Sequence, residues 1–132
     1  MAEEKRLVSS STEFNSLFEQ GHTFFKREAY ACAQTQYHQA LKSASNPVDQ
    51  SYCYASLAAC FLLACDKHNI TKPEKELGTL LAVLHYYRAH LLNPQHPFAL
   101  KQSDQLADLY HPKKKGDRKK LCQDPQYFPS AL

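Results

Sequence analysis

FNSLFEQGHTFFKREAYACAQTQYHQAL, residues 14–41, is the stretch on which the reading of the fold turns. Apolar or small residues fall at 14, 17, 18, 21, 24 and 25, the stripe of a helix that buries one face. A second stripe follows at 30, 33, 37, 40, 41 and 44. The spacing predicts two short amphipathic helices, Phe14 to Lys26 and Ala29 to Ala44, hinged at Arg27-Glu28. Small residues (Gly21, Ala33, Ala40) alternate with bulky ones (Phe24, Tyr30, Tyr37). Knobs can therefore enter gaps, and the two backbones can approach closely.

Leu17, Gly21, Phe24, Tyr30, Ala33, Tyr37 and Ala40 together reproduce a small-and-aromatic pattern. In this the stretch resembles a tetratricopeptide repeat, a helix-turn-helix unit of about 34 residues. A second copy starts near Ser51, with Tyr54, Leu57, Ala58 and Phe61 on its first helix and Ala82, Tyr86, Ala89 and Pro94 on its second. The resemblance covers roughly residues 14–110. It implies an all-α fold of antiparallel helix-turn-helix repeats, a short α-solenoid of about five helices. The sequence departs from the family in one place. Phe61 and Ala82 stand 21 apart, whereas their counterparts Phe24 and Ala33 stand nine apart, so an insertion falls around Asp66 to Leu77.

Along the chain, residues 1–12 mix charges with a Ser/Thr run and read as a disordered N-terminus before a helical domain over 13–111. Ser10 and Glu13 have the spacing of a capping box. Asn46-Pro47 reads as the N-cap and first-turn proline of helix three, Pro47 to Cys65, which is apolar nearly all round and must be covered on several sides. Thr71 and Glu74 suggest a second capping box, opening helix four at Lys72 and leaving Asp66 to Thr71 as loop. Helix four runs to Leu92, and helix five from Pro97 to Tyr110 caps the stack, ended by His111-Pro112. Residues 112–132 form a basic, proline-containing tail, expected to be mobile, with Tyr127-Phe128 able to dock.

Composition narrows the class. With 132 residues the chain allows one domain with a real core, and only three glycines among 11% aromatic residues suit helices better than a turn-rich β fold. The apolar run Tyr52 to Cys65 is shorter than the ~20 residues of a membrane span, and no apolar run follows the first charges as in a signal peptide. Five cysteines without paired spacing read as free thiols in a reducing compartment, so a soluble cytoplasmic or nuclear protein is expected. Of the net charge of +3, residues 113–120 (KKKGDRKK) carry +5, leaving the remainder near neutrality.

The resemblance also implies where a partner would sit: the first helices of successive repeats line a concave groove. In this register the groove residues are Asn15, Phe18, His22 and Phe25, then Tyr52, Ala55, Ser56, Ala59 and Leu62, then Ala99 and Ser103. Family members that clamp the acidic C-terminus of chaperones use Lys, Asn and Arg there. Here Phe18, His22, Ser56, Ala99 and Ser103 stand instead, and a terminal carboxylate would be desolvated without a cationic partner. The expected partner is another protein, supplying an apolar helix or hydrophobic peptide.

Three further features suggest contacts. Leu77, Leu80, Leu84 and Leu91 form a second stripe on helix four, a binding face or homodimer seam unless the insert or the tail covers it. Lys113, Lys114, Lys115, Arg118, Lys119 and Lys120 read as a solvated tail, a nuclear-import signal or a phosphate binder for nucleic acid. No aromatic residue interleaves with them, as single-strand binding would require. Cys60, Cys65 and His68 lack the second ligand pair of a zinc site, and three glycines supply no phosphate loop. The sequence thus points to a non-enzyme without metal or cofactor. A third reading is a short product of a longer repeat protein, since at least three repeats are usual for a stable array.

Overall fold

The computed structural model describes residues 11–67, 70–109 and 114–128. The described residues are all-helical: α1 Thr12–Lys26, α2 Tyr30–Ser43, α3 Pro47–Lys67, α4 Lys72–Leu92, α5 Ala99–Leu109 and α6 Lys115–Leu121. Helices α1 to α5 each pack against the next in sequence, and α6 returns to α4.

Local chemistry sets the helix ends. Ser11 caps α1, its Oγ accepting the Phe14 N–H at 3.1 Å; Ser10, the cap expected from the sequence, lies outside the described residues. Between α1 and α2, the Glu28 N–H donates to the Phe25 carbonyl and the Ala29 N–H to that of Phe24, at 2.9 and 3.0 Å. This is the Schellman pattern, which usually places glycine where Glu28 stands at φ 60°. Asn46 opens α3: its Oδ1 accepts the Asp49 N–H at 2.8 Å while its Nδ2 donates to the Asp49 carboxylate at 3.1 Å. Thr71 and Glu74 complete a reciprocal capping box at α4.

The expected loop from Asp66 is shorter than the sequence reading had it. Helix α3 continues to Lys67, so the insertion is taken up as extra turns on both α3 and α4, each 21 residues against 15 and 14 in α1 and α2. These turns hold each other closely: a Cβ on Gly78 would lie 2.3 Å from the Cys65 Sγ.

The core assembles around the small residues. Gly21, Ala33, Ala40, Ala58, Ala82 and Ala89 are all buried. Phe14, Phe18, Tyr37, Tyr52, Cys53, Leu57 and Cys60 fill one cluster between α1, α2 and α3. Ala58, Ala82, Tyr86, Ala89 and Ala99 form the next, with Phe61 packed against both. By length and composition Pro47–Asp66 is apolar enough to cross a membrane, a wider window than the run Tyr52 to Cys65. In the fold this helix lies between α2 and α4 and feeds both clusters, and cover from both sides accounts for its hydropathy.

The C-terminal segment corrects the expectation of a mobile tail. Residues 114–128 form α6 and a run of turns, and Cys122 and Phe128 are buried with Leu84 and Tyr87 on the outer side of α4. Arg118, read as one cation of a solvated run, is 2% exposed. Its guanidinium pairs with Asp104 at 2.9 Å, donates to Ser103 Oγ at 2.7 Å and lies 4.9 Å from the centre of the Tyr87 ring. The Arg88 guanidinium donates to the Cys122 carbonyl and packs against the rings of Tyr54 and Phe128, at 5.0 and 4.5 Å. A seven-residue helix has no stability of its own, so these contacts are what keep α6 folded.

Two variants test this packing. A Cβ on Gly21 would lie 2.5 Å from the Tyr37 ring, which is itself buried and held by a hydrogen bond to His22. Overpacking of about 1–3 kcal/mol should outweigh the ~1 kcal/mol that alanine gains in helix propensity, so Gly21→Ala is expected to lower the urea midpoint. Arg118→Ala should cost roughly 1–3 kcal/mol, because the Asp104 left behind is partly solvated. Hydrogen exchange should then quicken in residues 115–122 while α1 and α2 keep their protection.

Candidate interaction groove

The end of α1, the middle of α3 and rings from α2, α4 and the turn before α5 enclose an open apolar pocket of about 320 Å³. His22, Phe25 and Lys26 come from α1, and Tyr52, Ala55, Ser56 and Ala59 from α3. Tyr37 forms part of the lining from α2, Tyr86 from α4, and Phe98 from the turn before α5. The α3 residues recur at intervals of three and four, so one helix face supplies them all. Alanines and a serine keep that face low, and the surrounding rings rise as walls.

The polar atoms of the site are largely engaged within it. Tyr37 Oη and His22 Nδ1 share a hydrogen bond of 2.5 Å. Burial pushes the Tyr37 hydroxyl well above its usual range, and the neighbouring cysteines add to this, while a hydrogen bond with Ser56 opposes it. Tyr37 therefore stays a neutral phenol. The Tyr86 hydroxyl is likewise raised by burial, to about 12. Behind the wall, His96 lies between Tyr52 and Phe98, tilted against the first ring and edge-on to the second, with ring centres 4.6 and 4.7 Å away, and burial lowers it to about 4. Lys26 is exposed and is the one charged side chain among the described lining residues.

Of the groove residues read from the sequence, His22, Phe25, Tyr52, Ala55, Ser56 and Ala59 meet in this pocket. Phe18 does not: at 3% exposure it stacks on Phe14 and packs at a tilt against Tyr37 inside the core, because α2 lies over that part of α1. Ala99 and Ser103 are fully buried, and the Ser103 hydroxyl donates to the Val83 carbonyl while accepting from Arg118. Asn15 and Leu62 are half-buried and stand outside the lining, Leu62 packing against the α3–α4 cluster. The reading missed Lys26, Tyr37, Tyr86 and Phe98 as lining. Tyr37 and Tyr86 are large enough to serve core and pocket wall at once.

The other candidate surfaces are reshaped by the C-terminal segment. Leu84 is fully buried and Leu80 packs against the cluster around Cys122 and Phe128, leaving Leu77 and Leu91 exposed at 51% and 39%. The four leucines are thus not a continuous stripe, because residues 121–128 occupy its middle. Lys114, Lys115, Lys119 and Lys120 are exposed, Arg118 is buried, and Lys113 lies outside the described residues.

Chemistry at the cysteines and histidines is muted. Burial pushes Cys60 up to about 12 and Cys122 up to about 11, so neither is a thiolate at neutral pH. Among the described residues no group of His, Cys, Asp and Glu is placed to hold a metal, and His68 lies outside them. His85 donates from Nδ1 to the Leu81 carbonyl at 2.8 Å and packs against Phe61 and Phe128. Burial lowers it to about 3 despite that bond. No family model matches the chain, and neither a curated protein nor a solved structure matches it.

Two buried histidines, His85 and His96, set an acid limit. Their folded values of about 3 and 4 lie below the ~6.5 of an unfolded histidine. Their full contribution is present above that value and is lost as pH falls below it, levelling off once the folded values are passed. Each should cost on the order of 2 kcal/mol by pH ~5. Urea midpoints should fall between neutral pH and pH ~5, and His96→Phe should remove about half of the fall.

Proposed function

We propose that the chain is a non-catalytic protein–protein interaction module, an adaptor or complex subunit that holds an apolar segment of its partner in the groove between α1 and α3. The observation that carries this reading is the pocket itself: an open hollow of about 320 Å³, walled by five aromatic rings and floored by small residues of α3. Such a hollow takes up apolar side chains from a helix or extended peptide. A tetratricopeptide-like arrangement of the helix pairs α1–α2 and α3–α4 belongs to the same proposal. It is supported by the packing of successive helices and by the burial of the small residues at equivalent places in both pairs. The raised thiols of Cys60 and Cys122 and the neutral Tyr37 favour binding over catalysis. The free thiols of Cys32, Cys60, Cys65 and Cys122 fit a reducing, cytoplasmic or nuclear setting.

Nucleic-acid association or nuclear import through the basic segment is the second reading. It rests on the four exposed lysines of 114–120, with Asp117 among them and Arg118 withdrawn into the core.

Ala59 is half-buried in the pocket floor, where an arginine would fill the hollow without cutting the core. In a selection of displayed helical and extended peptides, the wild-type protein should yield apolar binders. Ala59→Arg should retain the wild-type melting temperature and weaken those binders more than tenfold, since a long charged side chain obstructs and desolvates the site (roughly 1.4 kcal/mol or more). Thr35→Arg, on the exposed face of α2, should bind as the wild type does. Retention of every selected peptide by Ala59→Arg, or selection of none that depends on the pocket, would overturn the reading.

A further inference from the structure

The charge at the pocket mouth narrows the chemistry of what enters. Of the ten described lining residues only Lys26 is charged, and no carboxylate stands among them; Glu28, two residues on, is not one of these ten. Arg27 follows directly and is also exposed. The walls are the rings of Phe25, Tyr37, Tyr52, Tyr86 and Phe98. Low-polarity walls let the field of an exposed ammonium reach further than it does over open water. The His22–Tyr37 hydrogen bond engages polar atoms of the lining, so the pocket favours an apolar group, edge-on or face-on to the rings. The volume of about 320 Å³ sits at the small end of ligand pockets, enough for one large side chain with part of its neighbour.

Resting on the groove reading, we infer that the partner segment presents one aromatic side chain to the pocket, with an aspartate or glutamate beside it facing Lys26. The apolar ring supplies the area removed from water. The carboxylate sets orientation and partner choice, since a lysine or arginine at that position would meet a like charge at the rim. An isolated, exposed ion pair contributes modestly, so the selectivity between acid and base is expected to be roughly three- to tenfold.

Three blocked dipeptides provide the test: N-acetyl-Trp-Asp-amide, N-acetyl-Trp-Asn-amide and N-acetyl-Trp-Lys-amide, each titrated into the full-length protein. The backbone amide resonances of Ser56 and Ala59 report entry into the pocket. The aspartate form should bind tightest and the lysine form weakest, and Lys26→Glu, a surface change that leaves the fold intact, should reverse that order. Equal binding of all three, or an order unchanged by Lys26→Glu, would overturn the charge assignment and leave the apolar groove standing. Absence of any shift at Ser56 and Ala59 with all three, at millimolar concentration, would count against both.

Discussion

The Tyr37 ring lies where a side chain at Gly21 would otherwise be, and the structure follows from that contact. Because position 21 has no Cβ, α1 and α2 approach closely enough for the ring to be covered on one side by backbone. Its hydroxyl is then carried to His22 and its outer edge into the groove. A single residue thus closes the helix pair and shapes the wall of the pocket. The same device recurs in the second pair, where Ala58, Ala82 and Ala89 leave room around Tyr86, another ring that is at once core and wall. Close packing of this sort tolerates little change in volume.

The second determinant is the cover over α4. That helix must satisfy α3 and α5, and its third side carries Leu84 and Tyr87, which would be costly to leave in water. The chain resolves this from its own end. Arg118 reaches back to Asp104 and Ser103, and Arg88 holds the Cys122 carbonyl and the Phe128 ring, so two cations fasten an apolar cover. Arg118 is buried with a charged partner, a hydrogen-bond acceptor and an aromatic face around it, the conditions under which a buried guanidinium is tolerable. The outer side of the molecule is thereby closed, while the hollow between α1 and α3 stays open.

What the sequence determined by itself is the set of helices and the faces on which they nest. Helix starts follow from Asn46-Pro47 and from Thr71 with Glu74, and the α1–α2 turn from its break in periodicity at Arg27-Glu28, because capping and amphipathic spacing act within a few residues of chain. The six small positions were legible for the same reason. Six groove residues were legible too, since they share one edge of α1 and one of α3. Only the tertiary structure decided which apolar side chains on those edges are core. Phe18 and Phe25 lie seven apart on the same helix and look alike in sequence, yet α2 covers the first and leaves the second at the pocket. The KKKGDRKK run was misread at one residue on similar grounds: composition describes a solvated cation, and the burial of Arg118 depends on Asp104 and Ser103, which local spacing cannot bring beside it. Periodicity states which side of a helix is apolar, whereas the neighbours packed around that side settle what remains open.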